Sequence, residues 1–127
     1  MNESLKTKYI AEEIGEGHCV HSDRQSGKTT ALMQHIHGRH AGDAIVITIN
    51  WSLSRMFEGY YRETYPKDHV PHVFGAEGAA SAICGSLDAV YCDEWFLFPP
   101  KVQKFLRDSG RVKGAVGTLP PVAKVPL

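Results

Sequence analysis

The stretch richest in chemistry is Ser22-Asp23-Arg24-Gln25-Ser26-Gly27-Lys28-Thr29-Thr30. Gly27-Lys28-Thr29 has the residue types that a phosphate-binding loop requires. Glycine lets the backbone approach an anion closely. An exposed Lys28 would place a point charge on β- and γ-phosphates, and the Thr29 hydroxyl is a hard oxygen ligand for Mg²⁺. Backbone N–H groups at a helix start, with the helix dipole behind them, favour negative charge at the same place. One departure stands out: Ser22 occupies the first glycine position of GxxxxGK[ST]. A second group is Asp93-Glu94, directly after the apolar run Ala89-Val90-Tyr91-Cys92. Carboxylates at the carboxyl end of a buried parallel strand face the crevice where α/β sheets bind ligands. The first can hold a Mg²⁺ hydration shell, and the second can orient or deprotonate an attacking water. Acidic pairs at strand ends are also commonly just solvated; the upstream Gly-Lys-Thr is what favours chemistry here. A third residue, Thr118, ends Val116-Gly117-Thr118. It can hydrogen-bond a γ-phosphate or the attacking water, although threonine is a common strand-end residue in any case.

These residues need elements to hold them. Ser22–Thr30 lies between an apolar run, His18-Cys19-Val20-His21, and a helical pattern, Ala31-Leu32-Met33-Gln34-His35-Ile36. That order is strand, loop, helix. Ahead of it, residues 3–14 predict a helix with Leu5, Tyr9, Ile10 and Ile14 on one apolar face, ended by Gly15 and Gly17. The loop helix is expected from Gly27 to about His37, with Gly38 as its stop. Ala44-Ile45-Val46-Ile47-Thr48-Ile49 is apolar on both faces, as a buried parallel strand should be. Asn50 or Ser52 can cap the next helix, which carries Leu53, Met56, Phe57 and Tyr60 at helical spacing and ends before Pro66. Residues 70–74 suit a short edge strand, because Pro71 cannot donate to a ladder. Residues 76–84 are ambiguous and read best as a helix ended by Gly85. Residues 89–92 are a strand, Pro99-Pro100 start a helix with Val102, Phe105 and Leu106, and residues 111–117 are a last strand. Residues 119–127 hold three prolines and are expected to be an extended tail. Strands alternating with helices imply an α/β domain with a mostly parallel sheet of about five strands.

Bulk properties narrow the function. The 127 residues suit one domain with a single core. Fourteen basic and fourteen acidic residues give zero net charge, so any nucleic-acid contact must be local. No apolar run approaches the ~20 residues of a membrane span, and the N-terminus lacks the apolar region of a signal peptide. Three cysteines, Cys19, Cys84 and Cys92, form no disulfide framework and suit reduced thiols in a cytoplasm.

The order of these pieces resembles one family. Asp23-Arg24-Gln25-Ser26-Gly27-Lys28-Thr29-Thr30 is similar to the phosphate loop of the ATPase domain in viral terminase large subunits, the DNA-packaging motors of tailed phages. There too the loop often carries an Arg-Gln pair and lacks the first glycine. Cys84–Glu94 resembles that family's approach to its acidic pair, and Gly117-Thr118-Leu119-Pro120 resembles its coupling motif. The wider group is the P-loop ATPases with an additional catalytic glutamate, which also holds the RecA-like helicases. The resemblance covers roughly residues 18–120, and only the three short motifs are specific. It is to the ATPase domain alone, without the nuclease domain that follows it in terminase large subunits. It implies a three-layer P-loop fold. It also implies ATP and Mg²⁺ as ligands, Lys28 and Thr29 on phosphate and metal, Asp93 on the metal, Glu94 as catalytic base and Arg24 as a finger supplied within the loop. Many members read adenine with an upstream glutamine; residues 1–20 contain none. Tyr9 can stack on adenine instead, or simply sit in the core.

Two functions are consistent with this reading. One is an ATP hydrolase acting on or near nucleic acid, in the host cytoplasm or with the virion. The other is a nucleotide-binding assembly module of a phage particle or replication complex with little turnover. A nucleotide kinase fits less well, for want of an arginine-rich lid. Lys101, Lys104, Arg107, Arg111 and Lys113 form a basic cluster that is either a solvated face or a DNA-backbone contact. Trp51, Trp95 and Phe96 suit core or interface better than base stacking. The run Trp95-Phe96-Leu97-Phe98 is expected to be exposed enough to join a homo-oligomer or a phage protein complex, the alternative being packing under the helix from Pro100. The seven histidines show no zinc spacing.

Overall fold

Every residue of Ala44–Thr48 is buried, the condition of a strand covered by helices on both faces. In this computed structural model, which describes residues 3–23, 27–37, 39, 41–84, 86 and 88–127 (backbone only at 3, 4 and 41), that strand is β2 of a six-stranded sheet. The others are β1 (His18–Ser22), β3 (His72–Gly75), β4 (Ala89–Asp93), β5 (Val112–Thr118) and β6 (Ala123–Pro126), in the order β3-β2-β4-β5-β1-β6. All neighbours are parallel except β1 and β6. Five helices are described: α1 (Glu3–Glu13), α2 (Lys28–His37), α3 (Trp51–Thr64), α4 (Ala79–Ile83) and α5 (Pro100–Ser109).

Side chains alternate across a strand, and here the alternation builds two cores. Val20, Val46, Tyr91 and Val116 point to one face, where they meet Ile10 of α1, Leu32 and Ile36 of α2, and Phe57 of α3. Cys19, Ile45, Ile47, Val90, Cys92 and Ala115 point to the other, against Ile83 of α4 and Leu106 of α5. The result is helices, sheet, helices. No helix among the described residues is long and apolar enough to cross a membrane.

Three expectations change. Residues 119–127 are not only a tail: after a cis Pro120–Pro121 bond the chain forms β6 and pairs antiparallel with β1. The prolines hide this strand, yet an edge tolerates them. On α1 the buried apolar side chains are Ile10 and Ile14, while Leu5 and Tyr9 are exposed. On α3 the buried stripe is Ser54, Phe57 and Tyr61, not Leu53, Met56 and Tyr60. Ser54 is polar, so periodicity passes it over. Its hydroxyl shares a 2.7 Å hydrogen bond with Thr48 Oγ1 and donates to the Asn50 carbonyl, which satisfies it in the core. Of the two predicted caps of α3, Asn50 acts: its Oδ1 accepts from the Leu53 N–H. Residues 76–84 are a 3₁₀ turn followed by the short α4. The predicted stops Gly38 and Gly85 lie outside the described residues.

Candidate phosphate and metal site

The site gathers at the carboxyl ends of β1, β4 and β5. Gly27 precedes α2 with φ +77°, and a Cβ there would lie 2.2 Å from Thr7 Oγ1. Glycine is required on both counts: the conformation is left-handed and α1 leaves no room. Lys28 opens α2 and is 7 % exposed, a correction to the exposed residue expected from sequence. Its Nζ donates to the Asp23 carbonyl at 2.9 Å and lies 3.9 Å from Glu94 Oε1. Asp23 itself is exposed, 3.6 Å from Lys6. Arg24, Gln25 and Ser26 lie outside the described residues.

Both members of the acidic pair are positioned. Asp93 is the last residue of β4, and Thr29 Oγ1 donates to its Oδ2 at 3.1 Å. Burial, and then the charge of Glu94, push the Asp93 carboxyl up to about 6. Its hydrogen bond from Thr29 and the Lys28 charge oppose that rise. Glu94 has φ 61° and ψ 51°, the one non-glycine at positive φ among the described residues. Such a backbone costs about 1–3 kcal/mol and persists only where its surroundings hold it. They do: the Glu94 carbonyl accepts from Leu97 N–H at 3.0 Å, and Trp95 is locked in the core. The bend turns the Glu94 carboxylate toward β5, where Thr118 Oγ1 donates to both its oxygens at 2.8 and 2.9 Å. Thr118 belongs to β5, whose register with β1 pairs it with Ser22 at the start of the loop.

Lys28, Thr29, Asp93, Glu94 and Thr118, chosen from three separate motifs, therefore meet. Thr30 is exposed beside them. Magnesium prefers hard oxygens, usually one or two carboxylates plus substrate phosphates. A hydroxyl and a buried carboxylate 3.1 Å apart, in a site where a second carboxylate makes the charge unfavourable, fit such a cation. No cluster of three or more His, Cys, Asp or Glu side chains is placed to hold a metal among the described residues.

Other sequence candidates go elsewhere. The Arg111 guanidinium donates to the carbonyls of Ile83 and Asp88, so it ties the end of α4 to the residue before β4. Lys104 pairs with Asp108 and Lys113 with Glu16, while Lys101 and Arg107 are exposed. Trp95 and Phe98 are core residues, Phe96 packs on Gly117, and only Leu97, 61 % exposed, faces solvent. The run is thus mainly a packing element and not an open interface. Trp51 is exposed, with Arg55 over its ring. Cys19 and Cys92 are buried free thiols, pushed up by burial, and Cys84 is an exposed free thiol.

Sequence reasoning missed one feature. Beside the carboxylates lies a cleft of about 410 Å³ between α2 and α3, walled by Met33, Leu53, Met56 and Tyr60. The available signal was the doubled apolar pattern on α3, more than one helix face needs. No protein-family model, curated protein or solved structure matches the chain.

Proposed function

We propose that the chain is an ATP-binding P-loop protein, an ATP hydrolase of the terminase-like, additional-catalytic-glutamate type from a virus, acting on or near nucleic acid. One observation carries the reading: Glu94 sits in a left-handed backbone conformation that brings its carboxylate to Thr118 and within 3.9 Å of Lys28, beside the Thr29–Asp93 pair. A merely solvated acidic pair would need no such bend. The strand order agrees, since the loop strand β1 and the acid strand β4 flank β5, and ligands of open parallel sheets bind beyond the carboxyl ends of the strands.

In this reading Lys28 neutralises the β- and γ-phosphates, and backbone N–H groups at the start of α2 receive them. Thr29 and Asp93 would hold Mg²⁺, which supplies further neutralisation of phosphate charge. Glu94 accepts the proton of a water whose oxygen bonds to the γ-phosphorus as the bond to the bridging oxygen breaks. Thr118 fixes the Glu94 carboxylate, and the acceleration is positioning plus electrostatics. A nucleic-acid contact falls to Lys101, Lys104 and Arg107. Action within a homo-oligomer or a phage complex also belongs to this reading.

The test is Glu94→Gln. It is expected to keep Mg-ATP affinity and lose hydrolysis by ~10²-fold or more, the range for a general base. Normal phosphate release by this variant removes Glu94 as the base. A second reading, a nucleotide-holding assembly module with little turnover, draws on the fact that Thr118 already donates to both Glu94 oxygens. It gains if wild-type protein binds Mg-ATP but releases no phosphate, with or without DNA.

A further inference from the structure

Met56 and Tyr60 are each about half exposed, at 50 % and 51 %, although they sit in the middle of a 14-residue helix. They do not simply face bulk water. With Leu53 they line the cleft, together with Met33 of α2 and the carboxylates of Asp93 and Glu94. At about 410 Å³ the cleft lies in the ~300–1,000 Å³ range of small-molecule sites, which are mostly apolar with a few polar groups to fix orientation. Its chemistry selects the ligand. The apolar lining is thioether, aliphatic and aromatic, and the polar lining is two carboxylates and threonine side chains. No Lys, Arg or His lines it among the described residues. A phosphate- or carboxylate-bearing ligand would meet two like charges there, while the Lys28 ammonium, 3.9 Å from Glu94 Oε1, does not line the cleft. A planar apolar body with a hydrogen-bond donor at one end meets complementary surface throughout.

We propose that this cleft binds a neutral, nucleoside-sized ring molecule, its ring against Met33, Met56 and Tyr60 and a hydroxyl or amino group donating to Glu94. Occupancy then keeps water from Glu94, so the ligand suppresses phosphate release. This consequence rests on the hydrolase reading, whereas the binding itself does not.

The experiment uses the full chain with ¹³C-methyl methionine. Its three methionines are Met1, Met33 and Met56, two of which wall the cleft. The probes are the four ribonucleosides without phosphate, titrated to millimolar concentration. At least one is expected to shift the Met33 and Met56 methyl signals saturably and leave Met1 in place. Met56→Glu, at a half-exposed position, is expected to weaken that binding at least tenfold, read at Met33, with Mg-ATP affinity unchanged. Saturating nucleoside is expected to lower wild-type phosphate release at least tenfold. No saturable shift with any probe overturns the proposal, as does equal binding by Met56→Glu. Unchanged phosphate release at full occupancy overturns the shielding. Failure of Mg-ATP to bind, with nucleoside binding intact, sinks the hydrolase reading and leaves this site standing; the converse sinks this site alone.

Discussion

Two apolar stretches lie beside the same pair of carboxylates, and they have opposite fates. Trp95-Phe96-Leu97-Phe98 follows Glu94 directly, and its two outer residues are buried against the α5 side of the sheet. Leu53, Met56 and Tyr60 lie on a regular amphipathic helix, yet they face a cleft. Consecutive apolar residues in a connection read as exposed, and apolar residues at helical spacing read as core. Here neighbours decide otherwise. A 3₁₀ turn at Trp95–Leu97 rotates Trp95 and Phe98 inward together, while Ser54, satisfied by Thr48, turns α3 so that Phe57 and Tyr61 take the core side. The buried stretch holds the Glu94 bend; the cleft stretch leaves space beside it.

The largest expected effect tests the buried stretch. Trp95→Ala removes a fully packed ring from beneath the Glu94 bend and is expected to cost about 3–5 kcal/mol in denaturant unfolding. A loss below about 1 kcal/mol, in the range of a surface substitution, would mean that the run is not core.

The carboxylate between the two stretches gives the next effect. The Asp93 pKa is raised in the fold to about 6, so the native state holds a proton more tightly than the unfolded chain. Its contribution to stability is fully present below pH ~4 and is lost as pH rises through about 6. Asp93→Asn keeps an acceptor for Thr29 and removes the buried charge. In chelator, it is expected to match wild type near pH 4 and to exceed it at pH 7.5 by up to about 3 kcal/mol. Urea midpoints at the two pH values measure this. A variant less stable than wild type at pH 7.5 would mean that the charge is well compensated without a cation.

The smallest effect sharpens the contrast. Met56→Ala and Tyr60→Ala are each expected to change stability by no more than about 0.5 kcal/mol, because these side chains close no part of the core. Losses comparable to that of Trp95→Ala would erase the distinction between the stretches.

Much of this was legible because it is local. Five strands and their helices follow from apolar runs, Asn50 as a cap and the Pro99-Pro100 start, and the sheet order then brings Lys28, Thr29, Asp93, Glu94 and Thr118 together. What was not legible depends on distant partners. β6 exists because β1 offers an edge, and Arg111 is occupied because the carbonyls of Ile83 and Asp88 lie within its reach. Lys28 is buried because the Asp23 carbonyl and Glu94 close around it. The left-handed Glu94 is set by the packing of Trp95 and the hydroxyl of Thr118. None of these has a signature within a short window of sequence.

If this cluster receives the phosphates of a nucleoside triphosphate, Lys28 carries much of the affinity, and calorimetric titration with Mg-ATP measures that. Wild-type protein is expected to bind, and Lys28→Ala, shown by circular dichroism to remain folded, to bind at least ~10-fold more weakly, about 1.4 kcal/mol. Equal affinity in the two proteins would mean that Lys28 does not meet the phosphates.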